Sequence, residues 1–268
     1  MALFCSDIDG TLLNRERTLS DRTIAAVRAV RLAGHEFVLC SSRPAASMRI
    51  LQALYDGSGI PLIAYNGALV FSAHNVVVRS VPIPAPSAVE IGNMCRELGV
   101  HGSFYSGDDW YVWQTDTWAD REIRNTGISP SDELAESYLR SRRVRDAPPH
   151  KIMCMGNEAA IAEIERRIAG RDDIIGYRSK PTYLEIANRS CSKASGLQAV
   201  AEELGVALTD CTFFGDNYND LSAFEVVGTA VAVANAKDEV LRAARVVTAS
   251  NREDGVARYL ENWLESAV

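Results

Sequence analysis

The chain has 268 residues, 47% of them apolar and 24% charged, with a formal net charge of −7. That length suits one large or two modest domains with a real core, and the composition is that of an ordinary globular protein. The acidic balance argues against a nucleic-acid partner, which needs a basic stripe. It leaves room for an anionic ligand, because a metal ion can reverse the local field.

At the N-terminus, Met1 to Asp7 lacks a basic stretch and soon reaches a carboxylate, so this stretch is not expected to be a signal peptide. No apolar run approaches the ~20 residues of a membrane helix, so no membrane association is expected. Ala2 to Ser6 is a short apolar run ending at Asp7, the pattern of a buried parallel strand. Ser20 is suited to cap a helix carrying Ile24, Val27, Val30 and Leu32 at helical spacing, and Gly34 stops it. Phe37 to Cys40 reads as a second strand, Pro44 opens a helix with Met48, Leu51 and Leu54 on one face, and Pro61 to Ala64 reads as a third strand. This β-α-β-α-β order predicts an α/β fold, a doubly wound, Rossmann-like parallel-sheet core with helices on both faces.

Pro82, Pro84 and Pro86 then break the rhythm. From about 83 to 185 the pattern becomes helix, two aromatic-rich strands, helices, then strands alternating with a helix. It predicts an inserted α+β cap domain (83–185) between two core segments (1–82 and 186–268). Within it, Tyr111 and Trp113 share one strand face and Trp110 and Val112 the other, so one of these faces packs on the module's helices. Arg140, Arg142, Arg143 and Arg145 read as a solvated basic face. Beyond the insert come a helix from Ser192 to Leu204, a strand at Cys211 to Phe214, a helix from Asp220 to Val226 and a strand at Thr229 to Val233. Asn235 is placed to cap the next helix, and a last helix spans about Glu253 to Glu265. The 6 cysteines form no CxxC pair, which predicts a cytoplasmic, disulfide-free protein without structural zinc.

The chemistry concentrates at strand ends. Asp7-Ile-Asp9-Gly10-Thr11 follows the first strand, at the sheet edge where open parallel sheets bind ligands. Two close carboxylates repel, so one is expected to be protonated or to share a cation. Asp7 is then suited to attack phosphorus and Asp9 to protonate a leaving oxygen. Gly215-Asp216-Asn217-Tyr-Asn219-Asp220 also follows an apolar strand; as an oxygen-rich loop it suits Mg2+, and alone it would read as an Asx-capped turn. Ser41 and Ser42, at the end of the second strand, can present hydroxyls and backbone N–H groups to a phosphate. Lys193 places full positive charge at a helix N-terminus, an unfavourable position without an anion nearby. Asn66-Gly67 lies just past a strand and reads equally as a substrate contact or as a hairpin turn between Ala64 and Leu69.

These motifs in this order resemble the haloacid dehalogenase superfamily, and more narrowly its Cof-type phosphatases with a type-IIB cap. Asp7-x-Asp9-Gly-Thr11, Ser41-Ser42-Arg43-Pro44, Lys193 and Gly215-Asp216-x-x-Asn219-Asp220 carry the resemblance, which spans nearly the whole chain. The resemblance implies an Mg2+-dependent phosphatase of a small phosphorylated metabolite, a sugar phosphate or a phosphorylated cofactor. In it Asp7 becomes an aspartyl phosphate, Asp9 acts as acid and then base, and Ser41, Ser42 and Lys193 hold the phosphoryl group. The metal set is Asp7, the Asp9 carbonyl and Asp216, supported by Asn219 and Asp220, with Arg43, Asn66 and Gly67 beside the substrate. Ser42 stands where the family usually has glycine. A phosphomutase or phosphotransferase of the same fold would share these motifs, whereas a non-catalytic metabolite sensor would be favoured by loss of Asp7, Asp9, Lys193 or Asp216, none of which is lost.

Overall fold

The computed structural model describes residues 1–57 and 59–266. The chain divides into two compact units, one made of Met1–Arg43, Met48–Arg79 and Ser192–Val268, the other of Pro44–Ser47 and Ser80–Cys191.

The chain first runs β1 (Leu3–Ser6), α1 (Asp21–Leu32), β2 (Glu36–Cys40), α2 (Ala45–Ala53), β3 (Leu62–Ala64), β4 (Leu69–Phe71) and β5 (Val77–Ser80), all in the first unit but for the start of α2 and the last residue of β5. Ser20 caps α1 by accepting from the Thr23 N–H, as the sequence predicts. Met48 and Leu51 are buried along α2, whereas Leu54 lies beyond its end and is exposed. Ala64 pairs with Leu69 in an antiparallel β3–β4 hairpin, so the turn reading of Asn66-Gly67 is realised.

The second unit contains α3 (Ala85–Glu97), β6 (His101–Ser106), β7 (Asp109–Val112), α4 (Thr117–Thr126), α5 (Ala135–Arg140), α6 (Arg143–Asp146), β8 (Lys151–Met155), α7 (Glu158–Ile168), β9 (Ile174–Lys180) and β10 (Tyr183–Asn188). Its five strands form an antiparallel sheet in the order β7-β6-β8-β10-β9. Phe104, Tyr111, Ile152, Cys154, Leu184 and Ile186 alternate onto one face and pack against the helices. Tyr111 stacks on Tyr138 of α5 at 4.0 Å and Trp113 meets Phe104 edge-on, so the face shared by Tyr111 and Trp113 is the one that packs on helices. On the other face Trp110 stacks on Tyr105 at 5.4 Å. The unit reaches a little beyond residues 83–185 because its ends are tied together. Ser80 Oγ bonds the His150 ring, Asn188 donates to the Pro82 carbonyl and Cys191 to that of Val81.

The chain then completes the first unit with α8 (Lys193–Leu204), β11 (Cys211–Gly215), α9 (Leu221–Phe224), β12 (Thr229–Val233), α10 (Asp238–Ala243), β13 (Val246–Thr248) and α11 (Gly255–Ser266). The resulting eight-stranded sheet has the order β13-β12-β11-β1-β2-β3-β4-β5, parallel from β13 to β3. Phe4 and Phe214 meet Trp263 and Tyr259 of α11, while Phe213, one residue out of phase, meets Phe224 of α9. Period-2 alternation therefore places helices on both faces, the doubly wound arrangement. The helix expected from Asp220 to Val226 is reduced to a 3-10 turn and one short helix, because the chain must turn for the Gly228 N–H to reach the Leu208 carbonyl. All six cysteines are buried and none is in a disulfide; the Cys95 and Cys154 thiols share a hydrogen bond at 3.6 Å. Among the described residues no helix is long and apolar enough to cross a membrane.

Burial pushes His150 down to about 4. Its Nδ1 accepts from the Gly107 N–H, so Nε2 carries the hydrogen and donates to Ser80. A histidine lowered in the folded state stabilises above its unfolded value, and that stability is lost as pH falls from about 6.5 through 4, by about 3 kcal/mol. Denaturant titrations should show this loss in the wild type and a flatter profile in His150→Gln.

Candidate active site

The edge of the parallel sheet gathers loops from four strands. Asp7 directly follows β1, and its N–H still bonds the Phe214 carbonyl, so the strand ladder itself fixes its backbone. Lys193 is the first residue of α8, whose N-cap Ser192 forms a reciprocal capping box with Ser195. The Lys193 side chain is fully buried, with Nζ 2.5 Å from Asp7 Oδ1 and 2.6 Å from Asp220 Oδ1. The other Asp220 oxygen accepts the Asp216 and Asn217 N–H groups, both at 2.9 Å. Asp220 thus shapes its own loop and anchors the lysine at once.

Two close approaches make this possible. Gly67, at φ +93°, lies against the start of α8: a Cβ there would fall 2.2 Å from the Ser192 carbonyl oxygen. Gly10, at φ +91°, lets the loop after β1 pass the loop after β11, where a Cβ would meet Asp216 Oδ2 at 2.5 Å. Across that contact Thr11 Oγ1 donates to Asp216 Oδ1 at 2.7 Å. From the C-terminal loops, Asn235 donates to the Gly10 carbonyl and Asn251 to that of Leu13. Asn235 therefore does not cap α10, where Lys237 takes the N-cap position. The sequence reading missed this pinning, and the Thr11 contact with it, because the partners lie more than 200 residues apart.

Asp7, Asp216 and Asp220 each offer an oxygen within 4.8 Å of the others. Three carboxylates against one ammonium leave two negative charges in excess in a largely buried place. Burial is the main force raising Asp7 well above the usual carboxylate range; Lys193 pulls it down, and Asp220 and Asp216 push it up. Burial also brings Asp216 up to about 6, against the Thr11 hydrogen bond and aided by Asp220. A divalent cation with oxygen ligands fits this donor set, and it would return both groups to the ionised form.

Asp9 is placed differently. Its carboxylate is not one of the three that gather around Lys193. Instead Arg43 grips both of its oxygens, Nε to Oδ2 at 2.6 Å and Nη2 to Oδ1 at 2.7 Å, and Arg17 Nη2 reaches Oδ1 at 2.8 Å. Ser41 is buried, with its hydroxyl accepting from the Arg43 N–H. Its own N–H is taken by the Ile63 carbonyl and is not turned towards an anion. Ser42 is half-buried beside it. Asn66 sits at φ +54° with its N–H on the Ser41 carbonyl, and its Oδ1 accepts from Asn219 Nδ2 at 3.1 Å. Asn219 thus bridges to the β3–β4 turn.

Replacing Asp220 by Asn removes one of the two charges facing a buried ammonium. Breaking such a pair costs about 3–5 kcal/mol. Asp220→Asn should therefore lower the denaturant midpoint markedly at unchanged slope, whereas loss of an exposed pair such as Arg22–Glu261 should cost under about 1 kcal/mol.

The sequence model of the haloacid dehalogenase-like hydrolase family matches residues 4–260. A Haemophilus influenzae protein named "Putative phosphatase" is 33% identical over 263 residues, covering 96% of this chain and 95% of that protein. The Escherichia coli K12 pyridoxal phosphate phosphatase YbhA is 26% identical over 283 residues, covering 96% and 97%. In three dimensions the chain is similar to a haloacid dehalogenase-like hydrolase from Bacteroides thetaiotaomicron, with a TM-score of 0.89 at 24% identity over 98% of this chain and 99% of that one. The acidic loops at the sheet edge and these likenesses lead to one conclusion: the chain belongs to the haloacid dehalogenase-like hydrolase family, as a phosphoric monoester hydrolase.

Proposed function

We propose that the protein is a magnesium-dependent phosphatase of a small phosphorylated metabolite, working through an aspartyl phosphate on Asp7. The observation that carries this reading is the buried Asp7–Lys193–Asp220 chain, with Asp216 within ligand distance of Asp7. Asp7 and Asp216 would hold Mg2+ together with the Asp9 carbonyl, and the ion would supply a positive charge beside the phosphoryl oxygens. Asp220 and Asn219 would support that set from behind, Asp220 through the two backbone N–H groups it accepts.

In the first half-reaction an Asp7 oxygen attacks phosphorus, the bond from phosphorus to the leaving oxygen breaks, and Asp9 gives its proton to that oxygen. In the second, Asp9 as carboxylate takes a proton from water as the water oxygen attacks phosphorus, and Asp7 is released. Lys193 and the Ser41 hydroxyl hold the phosphoryl oxygens as charge redistributes, with Ser42 beside them. Lys193 also keeps Asp7 available as the ionised nucleophile once the excess negative charge is balanced. Arg43, Asn66 and Gly67 would line the leaving-group side. Residues 83–185 form the cap that selects the leaving group, and 1–82 with 186–268 form the hydrolase core. A phosphorylated cofactor is one substrate class, in line with the pyridoxal phosphate phosphatase relative; a sugar phosphate is the other.

Asp7→Asn should abolish turnover of p-nitrophenyl phosphate, by at least about 10³-fold, because the amide matches the carboxylate in size but is a poor nucleophile; the variant should keep its folded circular-dichroism spectrum but melt at a lower temperature, since it too removes a charge facing Lys193. Chelation by EDTA should stop turnover and added magnesium should restore it. Full activity of Asp7→Asn, or hydrolysis that survives chelation, would refute the reading.

A further inference from the structure

Asp9 lies two residues from Asp7, yet its carboxylate meets guanidinium groups. Arg43, buried itself, takes both oxygens in a fork, which sets the plane of the carboxylate. The second arginine is the unexpected one. Arg17 belongs to a tight loop in which the Asn14 N–H bonds the Thr18 carbonyl, the Arg17 N–H bonds the Asn14 carbonyl, and the Asn14 side chain accepts from the Thr18 N–H. Arg17 adopts φ +60°, a left-handed conformation that a long L side chain takes at a cost. A glycine or asparagine would fit the turn with less strain, yet an arginine stands there, with its guanidinium 2.8 Å from Asp9 Oδ1. The base of the loop is pinned as well: the Leu12 and Leu13 N–H groups bond the Ile8 carbonyl, and Asn251 bonds the Leu13 carbonyl. Arg17 is thus delivered by a rigid backbone even though its side chain is half exposed.

We infer that Arg17 is a positioning residue for the acid–base carboxylate. It holds Asp9 in place through Oδ1, so that the group stays aligned while Arg43 shares its donors with an arriving anionic substrate. This rests on the reading of Asp9 given above. The role asks nothing new of the chemistry: Asp9 still gives one proton to the leaving oxygen as its bond to phosphorus breaks, and regains one from the attacking water. What Arg17 contributes is alignment, and misplaced proton transfer harms poor leaving groups more than good ones.

The test is single-turnover phosphorylation of the magnesium-loaded enzyme with p-nitrophenyl phosphate, whose leaving group needs little protonation, and with phenyl phosphate, whose leaving group has a pKa of about 10. Arg17→Met keeps the stem and loses the charge. It should slow phenyl phosphate about tenfold and p-nitrophenyl phosphate less than about twofold, with KM unchanged, and Arg17→Lys should recover most of the loss. An equal loss on both substrates, no loss, or a rise in KM at unchanged rate would each overturn the role. Asp9→Asn is the control. If that variant shows no preference against phenyl phosphate, the acid–base reading of Asp9 has failed, and the failure is separate from that of Arg17.

Discussion

The buried Lys193 ammonium is the constraint around which the site is organised. A fully buried cation without partners would cost far more than a domain's net stability, so its Nζ must meet carboxylates, and it meets two. Burial alone would lower the lysine; the charges of Asp220 and Asp7 outweigh it and hold the group well above its ordinary value. One partner is the end of β1, the other the loop after β11, and the lysine itself opens α8. Three segments are thereby held to one point.

That convergence dictates features that look arbitrary in isolation. The start of α8 can come close only because Gly67 offers no Cβ to the Ser192 carbonyl, and the loops after β1 and β11 can touch only because Gly10 offers none to Asp216. Asp220 must face two ways, one oxygen on the ammonium and the other on the Asp216 and Asn217 N–H groups. The same bonds orient Asp216, whose carboxyl is raised by burial and steadied by Thr11. The excess negative charge that remains is the electrostatic demand that a divalent cation would meet.

Asp7 and Asp9 show how one short motif yields two environments. Both follow β1, and strand alternation alone would send them the same way. The strand ends at Ser6, so the alternation does not carry through, and Asp7 faces an ammonium among carboxylates while Asp9 faces two guanidinium groups. Two carboxylates two residues apart thus have partners of different kinds, one an ammonium shared with a second carboxylate and the other a pair of guanidinium groups.

The amino-acid order was enough to read the alternation of strands and helices and the helix cap at Ser20, because these follow from local periodicity and local hydrogen bonding. It also singled out Asp7, Lys193, Asp216 and Asp220, charged residues at strand ends and at a helix N-terminus, and the structure brings these four together. Tertiary structure alone decided the Arg17 and Arg43 clasp on Asp9, the Thr11 bond to Asp216, the pinning of Gly10 by Asn235, and the shortening of the helix after Asp220. Except for Arg17, which reaches Asp9 within one loop, the partner lies in a segment whose approach is set by sheet order and backbone packing, and no local spacing encodes that distance.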